Sequence, residues 1–173
     1  MKILKISAVI IGTLLVVFFL VGVFFPQFEY QGHVTVKATA AKSWQVFNDT
    51  TLHKKWIEGF KSLTLKEGSA LQPNAVYEIV IADNSEVYVM KEKIISIAPP
   101  SFVSFELTNE VMQSAYDFSF VEGSDGTTEI TSRYTVTGNN LLWRSVLFIS
   151  KSYLRSSNQQ QLEALKKVIE QQP

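Results

Sequence analysis

Three regimes of hydrophobic patterning divide the chain. From Ile6 to Phe25 the run ISAVIIGTLLVVFFLVGVFF holds twenty residues without a charge and is apolar on every side. As a helix it spans roughly 30 Å, about the hydrocarbon thickness of a bilayer, and Pro26 ends it. Beyond it, period-two alternation predicts strands. His33 to Ala38 places Val34, Val36 and Ala38 on one face. Helical spacing then takes over for Ala40 to Asn48, with Trp44 and Phe47 three apart, and for a second short helix over Thr51 to Glu58. Thr50 or Thr51 would cap that second helix and Gly59 stop it.

Six more strands follow, each closed by turn residues. Lys61 to Lys66 ends at Glu67-Gly68-Ser69, Ala75 to Ile81 at Asp83-Asn84, and Val87 to Ile97 at Pro99-Pro100. Phe102 to Thr108 turns at Asn109, Gln113 to Val121 at Gly123-Ser124-Asp125-Gly126, and Thr128 to Thr137 at Gly138. The last two alternate cleanly: Tyr116, Phe118 and Phe120 oppose Asp117 and Ser119, and Ile130, Tyr134 and Val136 oppose polar neighbours. One wet face and one aromatic face predict an antiparallel sheet covered on one side. The cover is a helix from about Leu141 to Glu170, capped by Asn139 or Asn140, with Lys166 and Lys167 suiting its last turn. Its apolar stripe is Trp143, Val146, Leu147, Leu154, Leu165 and Val168, interrupted by Ser150, Ser157 and Gln161.

Length and charge narrow this picture. The 173 residues suffice for one well-buried domain, and sixteen basic and sixteen acidic side chains cancel, so nothing points to a nucleic-acid partner. We expect residues 1–26 to be an N-terminal transmembrane anchor and residues 27–173 a single domain. An uncleaved anchor fits better than a signal peptide, because Phe24-Phe25-Pro26-Gln27-Phe28 offers no small-residue cleavage site. Lys2, Lys5 and the terminal amine precede the span and Glu29 is the first charge after it. The positive-inside tendency therefore places the N-terminus in the cytoplasm and the domain on the extracytoplasmic, periplasmic or extracellular, side. The absence of cysteine excludes a lipidated N-terminal cysteine and a disulfide framework.

The segment VKATAAKSWQVFNDTTLHKKWIEGFKSLTLKEG resembles the opening of the START-like (SRPBCC) superfamily, which includes polyketide cyclases and lipid-transfer domains. In that pattern a strand ends in small residues before a helix bearing Trp. An Asp then opens a second helix ending in Trp, and a strand closes on Glu-Gly. LEALKKVIEQQ resembles the family's closing helix, and the likeness covers about residues 32 to 171. Bacterial members with one membrane helix ahead of the domain are familiar. The resemblance implies an α+β helix-grip fold, in which a curved antiparallel sheet of about seven strands grips the long helix. Between sheet and helix it implies a cavity for an apolar ligand.

The residues agree on one point. A bulky sheet face carrying Tyr77, Ile79, Phe105, Tyr116, Phe118 and Tyr134 meets a helix that is polar in its middle. A dry core would leave Ser150, Ser157 and Gln161 unpaired. Either a cavity satisfies them, with Trp143 and Leu154 on the same helix face, or the helix bends around RSSNQQQ and they face solvent. Trp56 and Phe60 are candidates for the cavity mouth. Two histidines and no cysteine argue against a metal site, and no phosphate loop or nucleophile elbow is present, so neither a catalytic residue nor a cofactor is assigned. His33 and His53 are expected in solvent, and Asp49 as a cap to the second short helix. Arg144, Lys151 and Arg155, with Phe148 among them, form a basic face that is solvated or meets lipid head groups.

The leading expectation is a membrane-anchored domain binding a lipid or other hydrophobic small molecule. A cyclase- or aromatase-like enzyme is the alternative and requires a titratable group inside the cavity. A non-catalytic interaction or adaptor domain is the third.

Overall fold

The structure, a computed structural model, describes residues 2–83 and 86–172. Asn84 of the expected hairpin turn and the amine of Met1 lie outside these residues. The first element, α1 (Lys2–Phe24), is a helix long and apolar enough to cross a membrane.

Seven antiparallel strands form one sheet in the order β1-β7-β6-β5-β4-β3-β2. They are β1 (Gln27–Val36), β2 (Phe60–Glu67), β3 (Val76–Asp83), β4 (Glu86–Ala98), β5 (Phe102–Thr108), β6 (Met112–Glu122) and β7 (Thr128–Gly138). Successive strands from β2 to β7 pair through their turns, while α2 (Ala40–Asn48) and α3 (His53–Trp56) carry the chain from one sheet edge to the other. Register breaks in β2 against β3 and in β4 against β5 bend the strands that bound the concave side. Thr39 caps α2, its side chain accepting from Lys42 N at 3.3 Å.

The C-terminal helix is two helices. α4 (Leu141–Ile149) starts at Asn140, whose side chain accepts from Trp143 N, and α5 (Lys151–Gln171) follows a break at Ser150, where ψ opens to 0°. The continuous helix expected over Leu141 to Glu170 is thereby corrected, and the two segments bury different surfaces. α5 lies over β1 and the α2–α3 pair, with Leu162, Leu165, Val168 and Ile169 in the main core. α4 packs on β7 and on α1, and Leu147 joins Phe28 and Val136 in a second, smaller cluster. Gly32 admits α5 to the sheet, since a Cβ there would stand 2.8 Å from Leu162 Cδ1. Gly138 does the same for α4, where a Cβ would stand 2.6 Å from the Trp143 carbonyl carbon.

β1 is longer than the alternation from His33 suggested. Phe28, Gly32, Val34 and Val36 all turn inward, with Tyr30 half-buried between them. α3 is a single turn without a side-chain cap, shorter than the helix expected over Thr51 to Glu58. Asp49 works one step earlier: its Oδ1 accepts from Thr51 N at 2.9 Å and from Thr51 Oγ1 at 2.6 Å, fixing the turn between the helices.

Candidate ligand cavity

Between the concave face of β3 to β7, the α2–α3 pair and the middle of α5 lies a cavity of about 370 Å³. The alternation of each strand sends its apolar residues to this side: Tyr77 and Ile79 from β3, Ile94 from β4, Phe105 from β5, Tyr116 and Phe118 from β6, Tyr134 from β7. Trp56 and Ile57 close it from the helical side, and Gln161 reaches it from α5. Ile94 is fully enclosed, and Trp56, Phe105 and Phe118 are buried.

Of the positions singled out in the sequence, Trp56, Tyr77, Ile79, Phe105, Tyr116, Phe118, Tyr134 and Gln161 border this space. Five are placed elsewhere. Phe60 packs edge-on against His53, with ring centroids 5.1 Å apart. Trp143 and Leu154 belong with the second cluster around Phe28 and Val136, and Ser150 is the hinge between α4 and α5. Ser157 is exposed in an adjoining groove that shares Trp56, Ile57, Ile81 and Gln161 with the cavity. The polar gap thus divides: the helix breaks at Ser150 rather than around RSSNQQQ, Ser157 faces outward, and Gln161 borders the cavity.

Two titratable residues on the cavity wall were not anticipated. Glu92, on β4 beside Met90 and Ile94, is buried and accepts a hydrogen bond from the Tyr116 hydroxyl. Burial pushes its carboxyl up to about 7, against a smaller downward pull from that hydrogen bond. Period two could have revealed it, because Met90, Glu92 and Ile94 must share a face; its lysine neighbours disguise it as part of a solvated charge run. His53 is the second, and the expectation that it is solvated is corrected. The side chain is buried between Trp56 and Phe60, and its Nε2 lies 2.9 Å from the Phe47 carbonyl. A carbonyl only accepts, so Nε2 carries the proton and Nδ1 presents a lone pair. Burial holds the imidazole below its ordinary value and keeps it neutral. His33 is exposed on β1.

Two buried nitrogens of residues that line the cavity, His53 Nδ1 and Trp56 Nε1, have no protein partner. One accepts and the other donates, and their rings lie 5.4 Å apart. Along the sheet side of the cavity four rings stack across four adjacent strands: Phe105 on Tyr116 at 4.9 Å, Tyr116 on Tyr134 at 5.2 Å, and Tyr134 on Tyr30 at 5.0 Å. Burial raises all three phenols, Tyr30 to about 12, so each stays protonated. Among the described residues no group of three or more His, Asp and Glu side chains gathers that could hold a metal ion.

A curved antiparallel sheet wrapped about a C-terminal helix, with an apolar cavity between them, defines the helix-grip class of α+β proteins. Within it, the chain belongs to the polyketide cyclase/dehydrase and lipid transport family, which matches residues 27–170. Comparison with curated proteins returned no match. Among solved structures, the Zhui aromatase/cyclase of Streptomyces sp. R1128 is 12% identical with a TM-score of 0.70, over 83% of this chain and 94% of that one. The di-domain ARO/CYC BexL from the BE-7585A biosynthetic pathway is 18% identical with a TM-score of 0.67, over 86% of this chain and 52% of that one. This chain thus spans about half of the di-domain protein. A protein of unknown function from Staphylococcus aureus, SA2116, is 16% identical with a TM-score of 0.67, over 83% and 94%. At these identities the likeness is one of fold.

Proposed function

We propose that this protein is a membrane-anchored binding domain that takes up a lipid or other hydrophobic small molecule bearing a hydroxyl-like group. The observation that carries the reading is the pairing of a largely apolar cavity with two buried, unpartnered nitrogens of opposite sense in residues that line it, His53 Nδ1 and Trp56 Nε1. An apolar body fills the space, and one hydroxyl can donate to His53 while accepting from Trp56. Leaving both nitrogens dry costs on the order of 1–3 kcal/mol each, so a ligand that supplies both bonds is selected over a bare hydrocarbon. α1 would hold the domain at the membrane where such molecules dissolve, with the N-terminus cytoplasmic by the charge bias of Lys2 and Lys5.

A second reading, an enzyme of the cyclase or aromatase kind, draws its support from Glu92. A buried carboxyl shifted to about 7 and bonded to a phenol is suited to proton transfer with a bound carbonyl compound.

One experiment separates these. The full chain, Ile79→Trp and Glu92→Gln are each purified in nanodiscs, and their small molecules are extracted and compared by mass spectrometry. Binding predicts a compound enriched with the wild type, lost from Ile79→Trp, and unchanged in Glu92→Gln. Catalysis predicts a different compound accumulating in Glu92→Gln. Equal, lipid-only extracts from wild type and Ile79→Trp refute the binding reading.

A further inference from the structure

α4 has four faces, and only three are used. Leu141, Ser145 and Phe148 meet α1. Ser145 Oγ accepts from Gly22 N at 3.1 Å, a Cβ on Gly22 would stand 2.6 Å from the Leu141 carbonyl oxygen, and Phe148 stacks on Phe25 at 4.2 Å. Leu147 and Trp143 turn into the second cluster. Arg144 takes a third side, where its Nε donates to the Gly138 carbonyl; Lys151 and Arg155 follow the break on α5, with Lys151 Nζ 5.8 Å from the Phe28 ring centroid. The fourth side carries Leu142 and Ile149, spaced seven apart so that they share one stripe of α4. They are 46% and 60% exposed, and Tyr153, just past the break on α5, is 74% exposed.

The contacts with α1 fix where that stripe sits. Gly22 lies three residues before Phe25, the end of the uncharged run, and is therefore within about 5 Å of it along the helix axis. Leu141 and Ser145 touch Gly22, so the start of α4 stands at that level too. If α1 spans the bilayer, α4 begins at the boundary between acyl chains and head groups. A close glycine contact and an interhelical hydrogen bond make α1 and α4 one packed unit rather than a helix on a loose tether.

We propose that α4 is the domain's membrane-resting surface, its Leu142–Ile149 stripe dipping into the lipid beside α1. The inference rests on α1 being a membrane anchor. The occupant is the lipid surface itself, because α4 packs on the end of α1, where Val23, Phe24 and Phe25 are exposed and apolar as well. Arg144, the basic residue of α4, lies on the far side of that helix from the stripe, so docking here needs no anionic lipid. The bilayer then fixes the orientation of the domain as well as its height.

The absence of native cysteine makes the test direct. Single nitroxide labels are placed on the full chain at Leu142→Cys and Ile149→Cys, in liposomes of neutral phosphatidylcholine. Val9→Cys, within α1, and Val121→Cys, at the opposite end of β6 from α4, are the references. Collision with oxygen relative to a water-soluble nickel chelate should be raised several-fold at 142 and 149 over 121, toward the value at 9. Water-like values at 142 and 149 with a lipid-like value at 9 overturn the proposal while leaving the anchor intact. A water-like value at 9 overturns both. Shielding from both quenchers with dipolar coupling between molecules overturns it in favour of a second copy, and insertion only after anionic lipid is added overturns it in favour of the basic face.

Discussion

The Tyr116 hydroxyl reaches across β5 to donate a hydrogen bond to the Glu92 carboxyl, joining β6 to β4 inside an apolar cavity. This one contact sets a pH dependence. Glu92 titrates near 4.5 in an unfolded chain and near 7 in the fold, so the folded state holds the extra proton between those values. Its contribution is full below about pH 4.5 and is lost as pH rises through 7. The 2.5-unit difference corresponds to roughly 3 kcal/mol. Glu92→Gln cannot ionise and keeps an acceptor for Tyr116. Chemical denaturation of the full chain in detergent should show the variant more stable than wild type near pH 8, by up to ~3 kcal/mol, with the gap closing near pH 5. Parallel curves for the two proteins would refute a raised carboxyl.

Tyr116→Phe keeps the ring in its stack and removes only the donor. The Glu92 carboxylate then loses the one interaction that pulls its titration downward. Its midpoint, followed by carbon NMR of the labelled carboxyl, should rise above 7, and stability near pH 8 should fall by about 1–3 kcal/mol. A midpoint that drops would mean the hydroxyl is not a donor to Glu92.

His53 works with the opposite sign. Burial lowers its proton affinity below the ordinary 6.5, so the unfolded chain binds the extra proton on the acid side. The stability it confers is present above 6.5 and is lost as pH falls through the lowered folded value. His53→Gln offers an amide N–H to the Phe47 carbonyl without a titrating ring. Thermal melts should show its acid-side loss of stability shallower than that of wild type, with little difference near pH 8. Equal acid-side slopes would argue that His53 is solvated.

Gly138→Ala tests the seat of α4. The atoms a Cβ would meet there are main-chain atoms, with Arg144 Cα at 2.8 Å, so no side chain can swing aside. The cost should be about 1–3 kcal/mol, with amide exchange accelerated in α4 and unchanged in α5. Uniform acceleration in both would mean that α4 and α5 open as one helix.

Much of the fold is legible in the chain because its breaks are chemical. β5 runs over the predicted Phe102–Thr108 since Pro99-Pro100 and Asn109 bracket it, and α2 over Ala40–Asn48 since Thr39 caps it. The start of β1 is hidden because Gly32 interrupts the inward series with no side chain to count. The break at Ser150 is silent because neither proline nor glycine marks it; α4 leaves the axis of α5 to serve α1 and β7, a tertiary demand. The aromatic face of the sheet is legible in the alternation, whereas Glu92 and His53 are hidden for a related reason. Glu92 between two lysines and His53 before two more look like surface, and only the pleat of β4 and the packing of the α2–α3 pair turn them inward.

The stack of Phe105, Tyr116, Tyr134 and Tyr30 sits at the pitch of the sheet itself, one ring for each of β5, β6, β7 and β1. Its outermost ring packs against the cluster around Phe28, beside α4, while its inner rings line the cavity. Rings held at contact distance behave as a stiff strut under compression. Widening the cavity by splaying these strands would shear every ring pair in the row. The strut therefore ties the shape of the interior to the face where α4 and the N-terminal helix meet.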